Sequence, residues 1–483
     1  MINRIKRVAE QNPDKIAYKV NSESITYKEL WDVASDRAAL LKRQGSSPVV
    51  IYGHKSVNFI VSVLACLIAD RTYVPIGAFT PPYRVHQIVE VTGSTLVLNN
   101  GDLQIENVEC TDIKGLDKYE KLSLKEHKEG QNETVYIIFT SGSTGVPKGV
   151  PISKENLKNF IDWFSGLKPL CDYREVNVLN QASFSFDLSV ADFYYSLLGG
   201  HTLISFDGDF KDDDLKSLYE LMREIDFAVM TPTFMKLCLM NRDFNSGNYP
   251  NFRCVYFCGE QLDVKTVRKL FEAFPEIAVI NAYGPTEGTS AVSAIRITDE
   301  MADCLESLPV GEENNFATEI NIIDGEIVLK GKSVFGGYLG GYKGSIYEED
   351  GKRCFRTGDL GYIDGGRLYI KGRKDRQIKY KGYRIELDDI EKNIDLIEGV
   401  IQSAVIAKYS TDGLVRTIQA FVKTNGPDEK QIRLELTKRV PSYMIPKTIK
   451  IVDRLPVNEN GKINNINIFL RNIKFNIKIA SIT

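Results

Sequence analysis

Short β-rich runs alternate with amphipathic helical patterns over most of the first 290 residues, and this alternation limits the possible folds more than any other feature of the chain. The runs are PVVIYG (48–53), STLVLNN (94–100), TVYIIF (134–139), VNVLNQ (176–181), HTLISF (201–206), FAVMTP (227–232), FRCVYF (252–257) and IAVINAY (277–283). Strand and helix in alternation at this length predict layered α/β architecture with a mainly parallel sheet. One helix is explicit: Ser153 stands where a cap belongs, and Leu157, Phe160, Ile161, Phe164 and Leu167 fall on one face. In such sheets ligands sit on the loops that follow the strands' carboxyl ends.

After about residue 290 the texture changes. GEIVLKGKSVFGGYLGG and GYIDGGRLYIKGR read as hairpins of a small β subdomain. Beyond GRKDRQIKYKGYR a compact α+β unit begins, with a helix from about 387 to 397 on which Leu387, Ile390, Ile394 and Ile397 align. Strands near 400–408 and 417–423 and a helix near 428–439, ended by Pro441, complete it. The expected fold is therefore α/β: a large N-terminal domain of layered sheets plus a β subdomain over 1–374, and a small mobile α+β C-terminal domain over 375–483, hinged at Asp375.

Composition removes several function classes. With 61 Lys+Arg against 64 Asp+Glu, the net charge of −3 gives no basic footprint for nucleic acid and no polybasic membrane patch. The longest apolar stretch, FIVSVLACLIA (59–69), is too short to span a bilayer and reads as a buried helix. Eight scattered cysteines and an N-terminus, MINRIKRVAEQNPDK, without an apolar core predict a cytoplasmic chain with free thiols. Cys254 and Cys258 lack a second Cys/His pair at zinc spacing.

The run 134–139 feeds directly into TSGSTGVPKG (140–149). Glycines let the backbone approach an anion, and hydroxyls and a lysine add donors, so the loop predicts a phosphate site. It is not the common nucleotide loop, because Lys148 follows a proline and precedes a glycine. A solvated Ser/Gly hairpin is the competing reading.

Three further stretches weigh against that hairpin: INAYGPTEG (280–288), FRTGDLGYIDGGRLYIKGRKDRQIKYKGYRIEL (355–387) and LPVNENGKIN (455–464). With ITYKEL (25–30) and TYVPIG (72–77) they resemble, in order and spacing, the motifs of adenylate-forming enzymes, specifically amino-acid adenylation domains. QASFSFDLSVADFYYSLLGGHTL and YFCGEQL most resemble the stand-alone D-alanine:D-alanyl carrier protein ligases.

The resemblance implies two half-reactions: ATP and an amino acid give an aminoacyl-AMP and pyrophosphate, and a phosphopantetheine thiol then takes the acyl group. It also implies roles. Thr140, Ser141, Gly142, Ser143, Thr144, Gly145 and Lys148 would wrap the β- and γ-phosphates; Tyr283 would stack on adenine, with Gly259, Glu260, Asn281, Ala282 and Gly284 around the nucleotide. Thr286 would contact the α-phosphate and Glu287 would hold Mg²⁺. Asp359 would accept both ribose hydroxyls, Arg373 would add a ribose or phosphate contact, and Lys462 would neutralise charge between substrate carboxylate and α-phosphate. Ile463, Asn464 and Asn465 depart from the Asp-Arg-Lys that usually follows this lysine.

Asp187 would pair with the substrate's α-ammonium, although aspartate is also a good helix cap. The remaining pocket wall would be Leu188, Ala191, Val229, Tyr256, Cys258, Ala282, Ser290 and Ala291. Ala191 stands where those ligases usually carry methionine, and Ser290 is polar instead of aliphatic, so the pocket is enlarged; D-alanine is the first choice of substrate. Because the chain ends soon after Lys462 with no carrier module, a separate carrier protein is the expected acceptor. A free-standing peptide-synthetase adenylation enzyme for another amino acid, or a catalytically silent binding relative, are the alternatives.

Overall fold

The structure, a computed structural model, describes residues 1–101, 103–104, 109–112, 133–142, 144–208, 212–341, 344–410 and 413–455. It separates into two compact units. One gathers Met1–Ala78, Ile88–Phe139 and Gly149–Lys374; the other gathers Phe79–Gln87, Thr140–Lys148 and Asp375–Thr483.

In the first unit, all eight of the sequence-expected runs form strands. Five of them join Ile16–Val20 as the parallel centre of an eight-stranded sheet, ordered Ala278–Tyr283, Cys254–Phe257, Phe227–Met230, Asn177–Asn180, Thr202–Ser205, Ile16–Val20. Ser293–Ile297 and Glu23–Thr26 close its edges antiparallel. The other three runs enter a second sheet with Tyr73–Gly77, Glu109–Asp112 and Lys148–Ser153. A third, antiparallel sheet carries the Lys352–Asp364 and Arg367–Arg373 hairpin.

Helices cover these sheets because their apolar faces match the sheet interior. Val57–Ala69 starts at Ser56, whose hydroxyl accepts from Phe59 N, and every residue from Phe59 to Ala69 is buried. Lys154–Gly166 is capped by Ser153 in a reciprocal box with Asn156 and buries Leu157, Phe160, Ile161 and Phe164. Among the described residues no helix is long and apolar enough to cross a membrane.

The second unit holds the hairpin Gln377–Tyr380/Tyr383–Glu386 and the helix Leu387–Asp395. Its sheet is built from Val400–Tyr409, Val415–Thr424 and Thr448–Ile451, and the helix Glu429–Thr437 completes it. Ile385, Leu387, Ile390, Ile394, Val405, Ala420 and Ile432 share its core. The segment 79–87 is drawn in by aromatic packing: Tyr383 and Tyr443 stack at 3.9 Å, and Phe79 meets both rings edge-on. The unit that begins at Asp375 is thus not one continuous stretch of chain.

A buried lysine fastens the first unit's central sheet. Lys55 Nζ donates to the carbonyls of Asn180 (3.1 Å), Gln181 (2.8 Å) and Phe206 (2.8 Å), at the ends of two adjacent strands. Asn180 in turn donates to Asp192 and accepts from Ser205. Burial pulls the Lys55 ammonium down to about 8 despite nearby carboxylates. The unfolded chain keeps that proton to ~10.4, so the wild type gains stability across this window as pH rises. Relative to Lys55→Met, urea unfolding should show a gain of about 2 kcal/mol between about pH 7 and about pH 9.5; parallel stability curves for the two proteins would contradict the burial of a charged Lys55.

Candidate active site

The parallel strands of the central sheet end together, and their last residues with the segments that follow them carry the expected residues Asp187, Val229, Tyr256, Cys258, Gly259, Glu260 and Asn281 to Ala291. Register places Val229 beside Tyr256 and Phe257 beside Asn281, so the following residues Cys258 and Ala282 emerge on neighbouring strand ends. Gly259 has φ +90, which lets the chain turn sharply there. Glu260 accepts from Thr233 N, at the start of the helix Pro232–Cys238. The Asn281 side chain is buried and donates to Pro309 O at 2.7 Å.

After Tyr283 the chain makes a tight reversal. A Cβ on Gly284 would lie 2.4 Å from Ala291 Cα, so only glycine allows this approach. Thr286–Gly288 forms a single 3₁₀ turn, and Val292 N returns to Tyr283 O. Thr289 and Ser290, φ +67 and +68, are consecutive left-handed non-glycine residues. Such conformations cost of order 1–3 kcal/mol each and persist where the surroundings over-determine them; here the Thr289 hydroxyl is tied to Ser333 O.

Two buried carboxylates flank this turn. Glu287 has no exposed surface; it accepts from Tyr338 Oη at 2.5 Å, while its backbone carbonyl accepts from Phe335 N. Asp359 accepts from Tyr283 Oη at 2.6 Å through one oxygen and from Arg373 through the other. Asp359 and Arg373 are direct partners across a hairpin, which fixes the pair. Burial and the Asp359 charge both push the Tyr283 phenol up. Each Asp359 oxygen keeps a lone pair for a further donor.

Asp187 occupies the position before the helix Leu188–Gly199, but its side chain makes no capping hydrogen bond. The cap role left open by the sequence is therefore not taken. Its charge reaches Tyr136 and Tyr256, whose phenols are pushed up chiefly by burial. Leu188, Ala191, Val229, Tyr256, Cys258, Ala282 and Ala291 pack in one buried cluster, and Ser290 is buried as well. The Tyr256 hydroxyl is buried without a hydrogen-bond partner.

The remaining expected residues lie elsewhere. Thr140, Ser141, Gly142, Thr144, Gly145, Lys148 and Asp375 belong to the second unit. Ser141 Oγ donates to Arg384 O and accepts from Glu386 N, and Asp375 accepts from Gln377 N. Burial raises the Glu386 carboxyl although Lys148 opposes it. Ser143 and Lys462 fall outside the described residues. Among the described residues no group of three His, Cys, Asp or Glu could hold a metal ion; Glu287 stands as a lone carboxylate, which suits a hard cation whose other ligands are phosphate and water oxygens. Tyr338, Arg84 and Asp389 were not singled out from sequence. Tyr338 is 51 residues from Glu287, and only the GGY turn hinted at it.

Residues 5–339 match the family described as AMP-binding enzyme, and residues 389–462 match the AMP-binding enzyme C-terminal domain. The chain is 37% identical to the D-alanine–D-alanyl carrier protein ligase of Bacillus licheniformis, over 96% of this chain and 98% of that protein. It is 35% identical to the ligase of the same name from Staphylococcus haemolyticus, over 96% and 97%. Among solved structures, the Vibrio cholerae adenylation domain AlmE, in complex with glycyl-adenosine-5'-phosphate, superposes with a TM-score of 0.82 at 23% identity, covering 97% of each chain.

If Tyr338 supports the Glu287 carboxylate, Tyr338→Phe should cost about 1–3 kcal/mol in urea unfolding, because a buried charged acceptor loses a donor. An unchanged midpoint and slope would mean that this bond carries nothing.

Proposed function

We propose, because this chain belongs to the AMP-binding enzyme family, that it activates D-alanine with ATP and loads it onto a phosphopantetheinylated carrier protein supplied as a separate chain. It is an amino acid:carrier protein ligase. In the first step a carboxylate oxygen of the amino acid bonds to the α-phosphorus and pyrophosphate leaves; in the second a thiol sulfur bonds to the acyl carbon and AMP leaves. A carboxylate is already ionised at neutral pH, so the first step needs positioning and charge neutralisation and no general base.

The observation that carries the amino-acid reading is Asp187. It opens a helix without capping it, one residue before Leu188, which shares a buried cluster with Ala191, Cys258, Ala282 and Ala291. An ammonium brought out of water there needs a carboxylate partner. On the same reading Asp359 and Arg373 hold the ribose, Tyr283 faces adenine, Thr286 meets the α-phosphate, and the 140–148 loop meets the leaving phosphates. Glu287 would hold Mg²⁺, which, when bound, offsets the charge of the triphosphate. Tyr338 keeps that carboxylate oriented. Lys462 is the cation assigned to the reacting carboxylate and phosphate, and the hinge at Asp375 lets the small domain serve both half-reactions. The relatives' names give D-alanine as their substrate; the small Ala191 and polar Ser290 leave room for a larger or more polar amino acid, and one methylene is worth only ~1–3 kcal/mol of discrimination.

Amino-acid-dependent exchange of pyrophosphate into ATP, run with D-alanine, L-alanine, glycine and D-serine, should be fastest with D-alanine; silence with D-alanine and a signal with another amino acid would overturn the substrate. Asp187→Asn should raise the amino acid KM by about 100-fold with little change in the KM for ATP. Lys462→Ala should slow adenylation by roughly 100- to 1000-fold, while transfer from preformed D-alanyl-AMP to the carrier survives. Equal loss in both steps would contradict a role for Lys462 confined to adenylation.

A further inference from the structure

The loop 140–148 already holds an anion belonging to the chain itself. Asp389 Oδ2 lies 2.6 Å from Arg84 Nη2 and 3.3 Å from Gly142 N; Oδ1 lies 2.9 Å from Asn393 Nδ2 and 3.3 Å from Arg84 Nη1. Arg84 Nη1 also donates to Gly145 O at 2.9 Å. Both charged side chains are out of water, with 5% of Arg84 and none of Asp389 exposed. All of these residues belong to the second unit.

Such a pair is a poor source of stability, because desolvating two charges offsets most of their attraction. Its donor set is more informative. A glycine N–H in a tight loop and a planar guanidinium are the groups that recognise phosphate oxygens. A Cβ on Gly142 would lie 2.0 Å from Val146 O, so the loop presents this N–H through a turn that only glycine can make. The carboxylate of Asp389 occupies the place of an anionic oxygen on that donor set.

We infer that Arg84 is a further triphosphate-binding residue and that Asp389 is its resident competitor, displaced when phosphate enters the 140–148 loop. This rests on the reading of that loop as the site of the β- and γ-phosphates. Two anions cannot share one guanidinium and one N–H at contact distance without repulsion. Displacing Asp389 also loosens its neighbours, since the Glu386 N–H is held to the same loop by Ser141 Oγ at 2.8 Å. Phosphate binding and release of residues 384–393 from the loop are then one event, and each shifts the population of the other.

The two members of the pair should respond with opposite sign. In the full-length chain, calorimetric titration with ATP should give a Kd about 10-fold higher for Arg84→Gln, which loses a charge-assisted contact. For Asp389→Asn the Kd should be about 3-fold lower, because the competing anion is gone. AMP, which lacks the β- and γ-phosphates, should bind both variants as it binds the wild type. Weaker ATP binding in both variants would mark the pair as structural and overturn the competition while leaving the loop assignment standing. Failure of the wild type to bind ATP would overturn the loop assignment and this inference with it. Should either variant not fold, hydrogen exchange on the wild type decides: ATP, but not AMP, should speed exchange of the Glu386 amide and its neighbours to residue 393, and unchanged or slower exchange with ATP overturns the competition.

Discussion

A carboxylate taken out of water must be met by donors, and this requirement organises the chain's interior. Asp192, Glu287, Asp359 and Asp389 are each at least 95% buried. Their partners come from distant parts of the sequence: Asn180 for Asp192, Tyr338 for Glu287, Tyr283 and Arg373 for Asp359, Arg84 and Asn393 for Asp389. A buried carboxyl left without partners costs free energy whether or not it is ionised, and burial pushes that of Asp192 well up, so each set of partners holds its surrounding segments in place. The turn 284–291, the 357–373 hairpin and the 140–148 loop are each tied to one of these carboxylates.

The sheet supplies the other half of the arrangement. Because neighbouring strands are parallel, their carboxyl ends fall along one edge, and the loops after Asn180, Phe257 and Tyr283 leave from it together. Lys55 fastens the first of these ends through three carbonyls, and the strained pair Thr289–Ser290 folds the last one back on itself. Rigid strand ends with constrained loops are the support that precise positioning of an adenylate requires. Glycine enters where backbone meets backbone, at Gly284 and Gly142.

Much of the fold was legible in the sequence because local chemistry determined it. Alternating apolar runs became strands, and Ser153 capped the helix whose apolar face it preceded. Motif residues of the site could be named for the same reason: INAYGPTEG and RTGDLG each concentrate several of them within one turn or strand. Long-range contacts were not legible. Arg84 and Asp389 are separated by 305 residues, and nothing local marks either one. The sequence therefore did not indicate that segments 79–87 and 140–148 join the unit that begins at Asp375. Asp187 reads from sequence as either cap or ligand, and the helix start shows only that its side chain makes no capping hydrogen bond.

One edge of the parallel sheet is the cradle we propose for an aminoacyl-adenylate. The most direct measurement is a crystal structure of the chain with a non-hydrolysable D-alanyl-adenylate analogue. The ammonium should lie within ~3 Å of an Asp187 oxygen and the ribose hydroxyls at a similar distance from Asp359. An analogue bound with its ammonium in solvent, or with its ribose away from Asp359, would contradict this placement.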